Sequence, residues 1–360
     1  MKTMLLGDLS PTIVTDPLFE RGDIRSLFTN TLSLFDNNDV NFVNLECALT
    51  VHDVAIKKFG PPLKATPNVA KVLHQIGVNY CGLSNNHIFD YGIRGAVDTM
   101  KYLDETGIIY TGFGKDYEDS RKDLIIEKNG EKVGIITVCE HEYSYALEDR
   151  MGSRPFSEFD TIEDIRAAKA QCDRVIVIYH GGKEHCRYPS PRLVNVCRAM
   201  ARNGADVVLC QHSHCIGCYE YYKDCHILYG QGNYHFIKNG VPETWNGAFA
   251  VAYDTVNHAF EVTPIVNTDN GITLAKGSEK EQMLAEYARR NQELANGQWR
   301  KGWHAFCLSV KERYHSIIGK ACTANSDPVD NDWFSHYLDC EAHSDVWREL
   351  FPTYNQTNEK

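Results

Sequence analysis

The chain has 360 residues, enough for one large α/β body with an appended segment, and its 43% hydrophobic and 24% charged residues exclude a disordered protein. A formal net charge of −11 without any long Lys/Arg run excludes a nucleic-acid backbone as partner. No stretch approaches the ~18 apolar residues of a membrane span.

The opening MKTMLLGDLSPT has one lysine and few apolar residues before Gly7, so it reads as a first strand rather than a signal peptide. Further strands are expected at VNFVNLE, YCGLS, IIYTGFG, RVIVIYH, DVVLCQH, HILYGQGNYHF and GAFAVAYDTVNHAFEVTPIV. In DLIIEKNGEKVGIITVC, Asn129-Gly130 between two apolar runs predicts a tight hairpin, and so some antiparallel pairing. Helices are expected at ATPNVAKVLHQIG, GIRGAVDTMKYLDETG, DTIEDIRAAKAQC and SPRLVNVCRAMARNG, which separate the strands. From about Gly271 the pattern turns helical, with Trp333, Tyr337, Trp347 and Phe351 at intervals that read as core, and a boundary is placed near residue 270. Thirteen cysteines without a secreted-scaffold spacing point to reduced thiols and a cytoplasmic location.

Five segments put a potential hard-metal ligand where an apolar strand ends, the edge at which α/β proteins build sites. Asp8 in LLGDLS and Glu46 in FVNLECALT, taken singly, read more simply as a turn and a solvated strand end. Asn86 and His87 in GLSNNHIFDYGIRG belong to a cluster denser than a capping turn needs; Asp90 beside them either caps or holds a neighbouring imidazole. His180 in VIVIYHGGKEHCRYP ends a strand before two glycines, and Lys183, Glu184 and Arg187 follow as solvated charges or substrate contacts. His212 and His214 in QHSH lie two apart, so in strand geometry both imidazoles would face one side. Mixed imidazole and carboxylate ligation suits Mn, Fe or Zn better than calcium. A competing zinc site at Cys215-x-x-Cys218 lacks a second CxxC pair.

Taken in order, GD at residues 7–8, NLE at 44–46, NNHIFDYG at 85–92, HGGKE at 180–184, GADVV and QHSH at 204–214, and GQGNY at 230–234 resemble the successive motifs of the CapA (poly-γ-glutamate capsule synthesis) family. The resemblance covers roughly residues 4 to 240. It implies an α/β protein: a metallophosphoesterase-like β-sandwich of two mixed sheets flanked by helices over residues 1–270, then a mostly helical C-terminal extension over 271–360. By the same resemblance Glu46 would bridge two divalent transition metal ions. Asp8 and His214 would complete one, Asn86, His180 and His212 the other, and His87 would be the proton donor. Ser10 stands where the wider superfamily has a histidine and Glu46 where it has an aspartate, so one ion is expected to be the more weakly held. His185 and Ser213 also depart from the CapA pattern, at positions expected to touch substrate rather than metal.

Two functional readings follow. One is a bacterial two-metal hydrolase acting on an anionic small-molecule or polymer substrate, with no nucleic-acid partner and no membrane span. The other is a non-catalytic accessory factor for the synthesis or export of a capsule polymer.

Overall fold

In a computed structural model, residues 1–140, 142–323 and 326–352 are described. The final residues of the expected 271–360 extension, 353–360, lie outside the described residues.

Fourteen strands build the two large sheets: Lys2–Leu9 (β1), Val40–Leu45 (β2), Tyr80–Gly82 (β3), Ile109–Thr111 (β4), Leu124–Lys128 (β5), Glu131–Cys139 (β6), Arg174–His180 (β7), Val207–Gln211 (β8), Tyr219–Tyr222 (β9), Cys225–Leu228 (β10), Asn233–His235 (β11), Ala248–Asp254 (β12), Ala259–Asn267 (β13) and Ile272–Leu274 (β14). The first sheet runs β14-β13-β12-β1-β2-β3-β4, with β11 also paired to β1; the second runs β9-β10-β8-β7-β6-β5. Both mix parallel and antiparallel pairs. The hairpin at Asn129-Gly130 forms with both residues at positive φ, 54° and 79°, as a two-residue turn of that handedness needs.

The strands read as continuous apolar runs because each sheet is covered on both faces. In β7, Ile176 and Ile178 point into the core between the sheets, while Val175, Val177 and Tyr179 point outward. In β8 the same alternation splits Val207 and Leu209 from Val208 and Cys210. Outside the first sheet pack Asn68–Gln75 (α1) and Gly92–Thr106 (α2), through Val72, Leu73 and Leu103. Outside the second pack Asp160–Lys169 (α3) and Pro191–Arg202 (α4), the latter capped by Ser190 Oγ, which accepts from the Leu193 N–H at 3.1 Å. The result is the helix-flanked sandwich of two mixed sheets that the sequence motifs imply.

Two expectations need correction. HILYGQGNYHF is not one strand: Cys225–Leu228 pairs in the second sheet and Asn233–His235 pairs with β1 in the first. The chain crosses between sheets at Gly230–Gly232, where a Cβ on Gly230 would lie 2.6 Å from the Cys215 carbonyl and Gly232 holds φ 78°. The sheet also continues past residue 270, since β14 pairs with β13.

The helices Gly277–Ala295 (α5), Trp299–Ala321 (α6), Pro328–Asp339 (α7) and Glu341–Leu350 (α8) then pack onto the second sheet's outer core through Trp299, Trp303, Tyr314, Ile317, Tyr337 and Val346. None of the described helices is long and apolar enough to cross a membrane. No disulfide forms among the described residues, and every cysteine but Cys322 is buried.

Candidate metal centre

At one end of the sandwich, strands of both sheets stop together and deliver polar side chains to a common point. β2 ends at Leu45 and Glu46 follows; β7 ends on His180; His212 and His214 follow β8. Asp8 arrives by an irregularity. The register of β1 against β2 shifts between Leu5 and Asp8, and this re-aims Asp8 so that its Oδ1 accepts a hydrogen bond from Asn44 Nδ2 at 2.7 Å. Gly7 serves the same end by close approach rather than as a turn: a Cβ there would lie 2.5 Å from the Gly232 carbonyl, blocking the crossing strand.

The two histidines after β8 converge for a reason other than strand alternation. The strand stops at Gln211, and His212 and His214 hold φ of 74° and 55°. For non-glycine residues this is uncommon, disfavoured backbone, retained where the surroundings over-determine it and concentrated at functional sites. Here the His212 N–H donates to Asp8 Oδ2 at 2.9 Å, and the His214 ring packs against Trp245 with centroids 3.9 Å apart.

Two overlapping triads result: Glu46, His180 and His212, and Asp8, Glu46 and His214, each with its ligand atoms within 4.8 Å of one another. Asn86 Oδ1 lies 2.9 Å from His180 Nε2, on the side of the first triad, and Glu46 Oε1 lies 3.3 Å from the same nitrogen. Asp8, Glu46 and His180 are fully buried. Neither oxygen of Glu46 accepts a hydrogen bond. The cation facing this buried carboxylate is the imidazolium of His180, itself a member of the cluster, and the two triads around Glu46 fit divalent ions bound in place of that proton. Cysteines are absent from both triads, which leaves the CxxC zinc reading without support among the described residues.

Electrostatics reinforce the cluster. Burial opposes charge on His180, but the carboxylates of Glu46 and Asp8 outweigh it and lift the imidazole to about 9. Burial likewise pushes Asp8 up, yet His180, His214 and Asn44 hold it below the ordinary carboxylate value.

His87 stands at the mouth, half-buried. Its Nδ1 lies 2.6 Å from Asp90 Oδ2, which also accepts from the Leu63 N–H at 2.7 Å. Asp90 Oδ1 is paired with the buried ammonium of Lys58. Burial would raise Asp90, but His87 and Lys58 bring it below its usual range, so it stays ionised and holds His87 with Nε2 left to exchange a proton.

Lys183 and Glu184 rim the centre. A cavity of about 180 Å³ is lined by both together with Asn86, His87 and His212. A second, of about 660 Å³, shares His87 and Glu184 and continues past His214 to Phe236 and Trp245. Glu184 is raised by burial but lowered more by Lys183, His214, His185 and His87, to about 2. Arg187 is placed elsewhere, on a surface groove with Ile216, Glu286 and Arg290. The loop turns away at His185, φ 63°, and leaves Arg187 facing that groove rather than the centre. Gly181 answers to a buried carboxylate: a Cβ there would lie 2.5 Å from Glu140 Oε2, which accepts from the Gly182 N–H at 2.7 Å.

Supporting residues went unassigned in the sequence. Asn44 Nδ2 lies 3.1 Å from His180 Nδ1, and Asn233 Oδ1 lies 2.8 Å from His214 Nδ1, each fixing the orientation of one imidazole. Asn85 donates to Asn44 Oδ1 at 3.1 Å and, through its own Oδ1, accepts from the His87 and Ile88 N–H groups. An asparagine inside a fully buried strand must find a partner, which is the signal that Asn44 offered. Lys58 lies in a segment with no motif and offered none.

Comparison with known proteins follows the same residues. The family described as "Bacterial capsule synthesis protein PGA_cap" matches residues 2–238. The capsule biosynthesis protein CapA of Bacillus anthracis is 29% identical over 180 residues, 48% of this chain but only 44% of that protein. The PGA biosynthesis protein CapA of Bacillus subtilis is 27% identical over 273 residues, 74% of this chain and 71% of that one. Among solved structures, a 5′-nucleotidase from Candida albicans aligns with a TM-score of 0.44 at 12% identity, covering 75% of this chain and 52% of the other.

Proposed function

Because the chain belongs to the bacterial capsule synthesis protein family, which matches residues 2–238, we propose that it is a metal-dependent hydrolase. Its substrate would be anionic, a phosphoester or a bond in an anionic surface polymer, in capsule or poly-γ-glutamate metabolism. The observation that carries the reading is Glu46, buried, accepting no hydrogen bond and common to both ligand triads.

Asp8, Glu46 and His214 would hold one divalent ion; Glu46, His180 and His212, with Asn86, the other. Bound transition metals would supply an activated water and a clamp on the anionic centre. The chain's own groups account for the rest. His87, held at Nδ1 by Asp90, gives its Nε2 proton to the leaving oxygen, while Lys58 keeps Asp90 ionised. Lys183 offsets charge on the substrate, and Glu184, held ionised, accepts a hydrogen bond from a substrate donor.

The test combines elemental analysis of the purified protein with hydrolysis of bis(4-nitrophenyl) phosphate, with and without added manganese, in wild type and His212→Ala. Near-stoichiometric transition metal with turnover that needs both manganese and His212 is expected. Full metal content without turnover of any ester would favour the accessory role in polymer synthesis, and failure to bind metal after reconstitution would sink the site itself.

A further inference from the structure

The cavity of about 180 Å³ beside the candidate metal centre is not closed by the family-matched region alone. One wall comes from helices α6 and α7, well beyond residue 238: Arg313 and Tyr337 line it together with Lys183, His87 and His212. This wall is docked on the loop that carries Lys58. Phe59 stacks on Trp333 and His336 at centroid distances of 5.9 and 5.0 Å, and Lys57 pairs with Asp332 at 3.0 Å.

Arg313 is held by its faces rather than by its charge. Its guanidinium lies over the rings of Trp333 and Tyr337, 5.4 and 5.7 Å from their centroids. Stacking of this kind orients the fork and leaves its N–H donors unused. Among the described residues, neither Arg313 nor Lys183 forms an ion pair, whereas the pocket's third cation, Lys58, is matched by Asp90. Lys183 is offset by the ionised Glu184 beside it on the same rim, whereas Arg313, exposed at the cavity's edge, has no carboxylate partner among the described residues, and an anion entering the cavity would supply one. At ~30 Å³ per water the space amounts to roughly six waters, room for one oxyanion and a short carbon linker.

Resting on the hydrolase reading above, we propose that the C-terminal helices complete the substrate pocket and that Arg313, with Lys183, binds a second oxyanion of the substrate, a carboxylate or phosphate, separate from the group at the metal centre. Arg313 would thus set specificity for substrates with two anionic groups a few bonds apart.

The test uses full-length, manganese-loaded protein and matched phosphonates: alkylphosphonates of two to four carbons, the same chains ending in a carboxylate, and α,ω-diphosphonates. Affinities are read by calorimetric titration, which does not depend on turnover, and in parallel as inhibition of bis(4-nitrophenyl) phosphate hydrolysis. Wild type is expected to prefer at least one doubly anionic compound over its singly anionic partner tenfold or more. Arg313→Ala and Lys183→Ala should each cut that preference to about twofold, with Arg313→Lys intermediate because it keeps the charge but not the fork. Which terminus is preferred tells a carboxylate from a phosphate. A wild type without the preference, variants that retain it, or no binding to the metal-loaded protein would each overturn the proposal. Binding with the expected pattern but without ester turnover would instead count against the hydrolase reading alone.

Discussion

The two walls of the candidate pocket are built on different principles. The metal-side wall is made of strand ends, its ligands aimed by backbone: a register shift at Asp8, left-handed φ at His212 and His214, and glycines admitting close approach at Gly7 and Gly181. The opposite wall is made of helices held by side-chain packing, with Trp303, Tyr314 and Tyr337 buried against the second sheet's outer core. A wall aimed by backbone gives geometry fixed enough for chemistry. One held by packing can vary in what it presents while keeping its apolar anchor, and so suits recognition.

This contrast can be broken at its strongest point first. Glu46→Gln removes the one charge both triads share, so it should lose both metals by elemental analysis and lower turnover by about 10³-fold or more. His87→Ala should lower kcat about 10² to 10⁴-fold while metal content holds, because His87 belongs to neither triad; loss of metal would recast it as a ligand. On the helical side, Trp303→Ala should cost about 3 kcal/mol in denaturant unfolding, as truncation of a fully buried aromatic does, yet leave metal stoichiometry unchanged in the folded fraction. Metal loss in that variant would mean that the two walls are not independent.

A more gradual effect is in pH. His180 is held at about 9 in the metal-free chain, above its ordinary 6.5. The raised value means that protonation stabilises the metal-free fold fully below pH 6.5, and that this contribution fades as pH rises through 9. A metal must displace the same proton, so apparent metal affinity should rise with pH between 6.5 and 9, by up to about tenfold per unit. Calorimetry in buffers of different ionisation enthalpy would count the proton released; no pH dependence in that window would contradict the assignment of His180 as ligand.

Much of the centre was legible because ligands at strand ends leave a local trace: an apolar run, then a hard donor, repeated at Asp8, Glu46, Asn86, His180 and His214. The reasons for some of those residues were not legible. QHSH looks like strand alternation, but the histidines converge through two left-handed residues, held by the Asp8 carboxylate and the Trp245 ring. Gly181 looks like access to a ligand, but its space belongs to Glu140. Arg187 follows the motif closely in sequence and leaves the site at the next turn.

By itself, then, the sequence carried the alternation of strands and helices and the polar donors that interrupt its apolar runs, since burial on both sheet faces writes itself as such runs, and the order of its motifs implied the helix-flanked two-sheet sandwich through their resemblance to one family. Only the tertiary structure decided the partners that come from afar. Lys58 meets Asp90 across 32 residues of chain, Asn233 meets His214 because the chain changes sheets between them, and Arg313 reaches the pocket on a helix docked by ring packing. Contacts of this kind depend on how layers pack, and side-chain packing leaves no fixed spacing in the chain from which to read them.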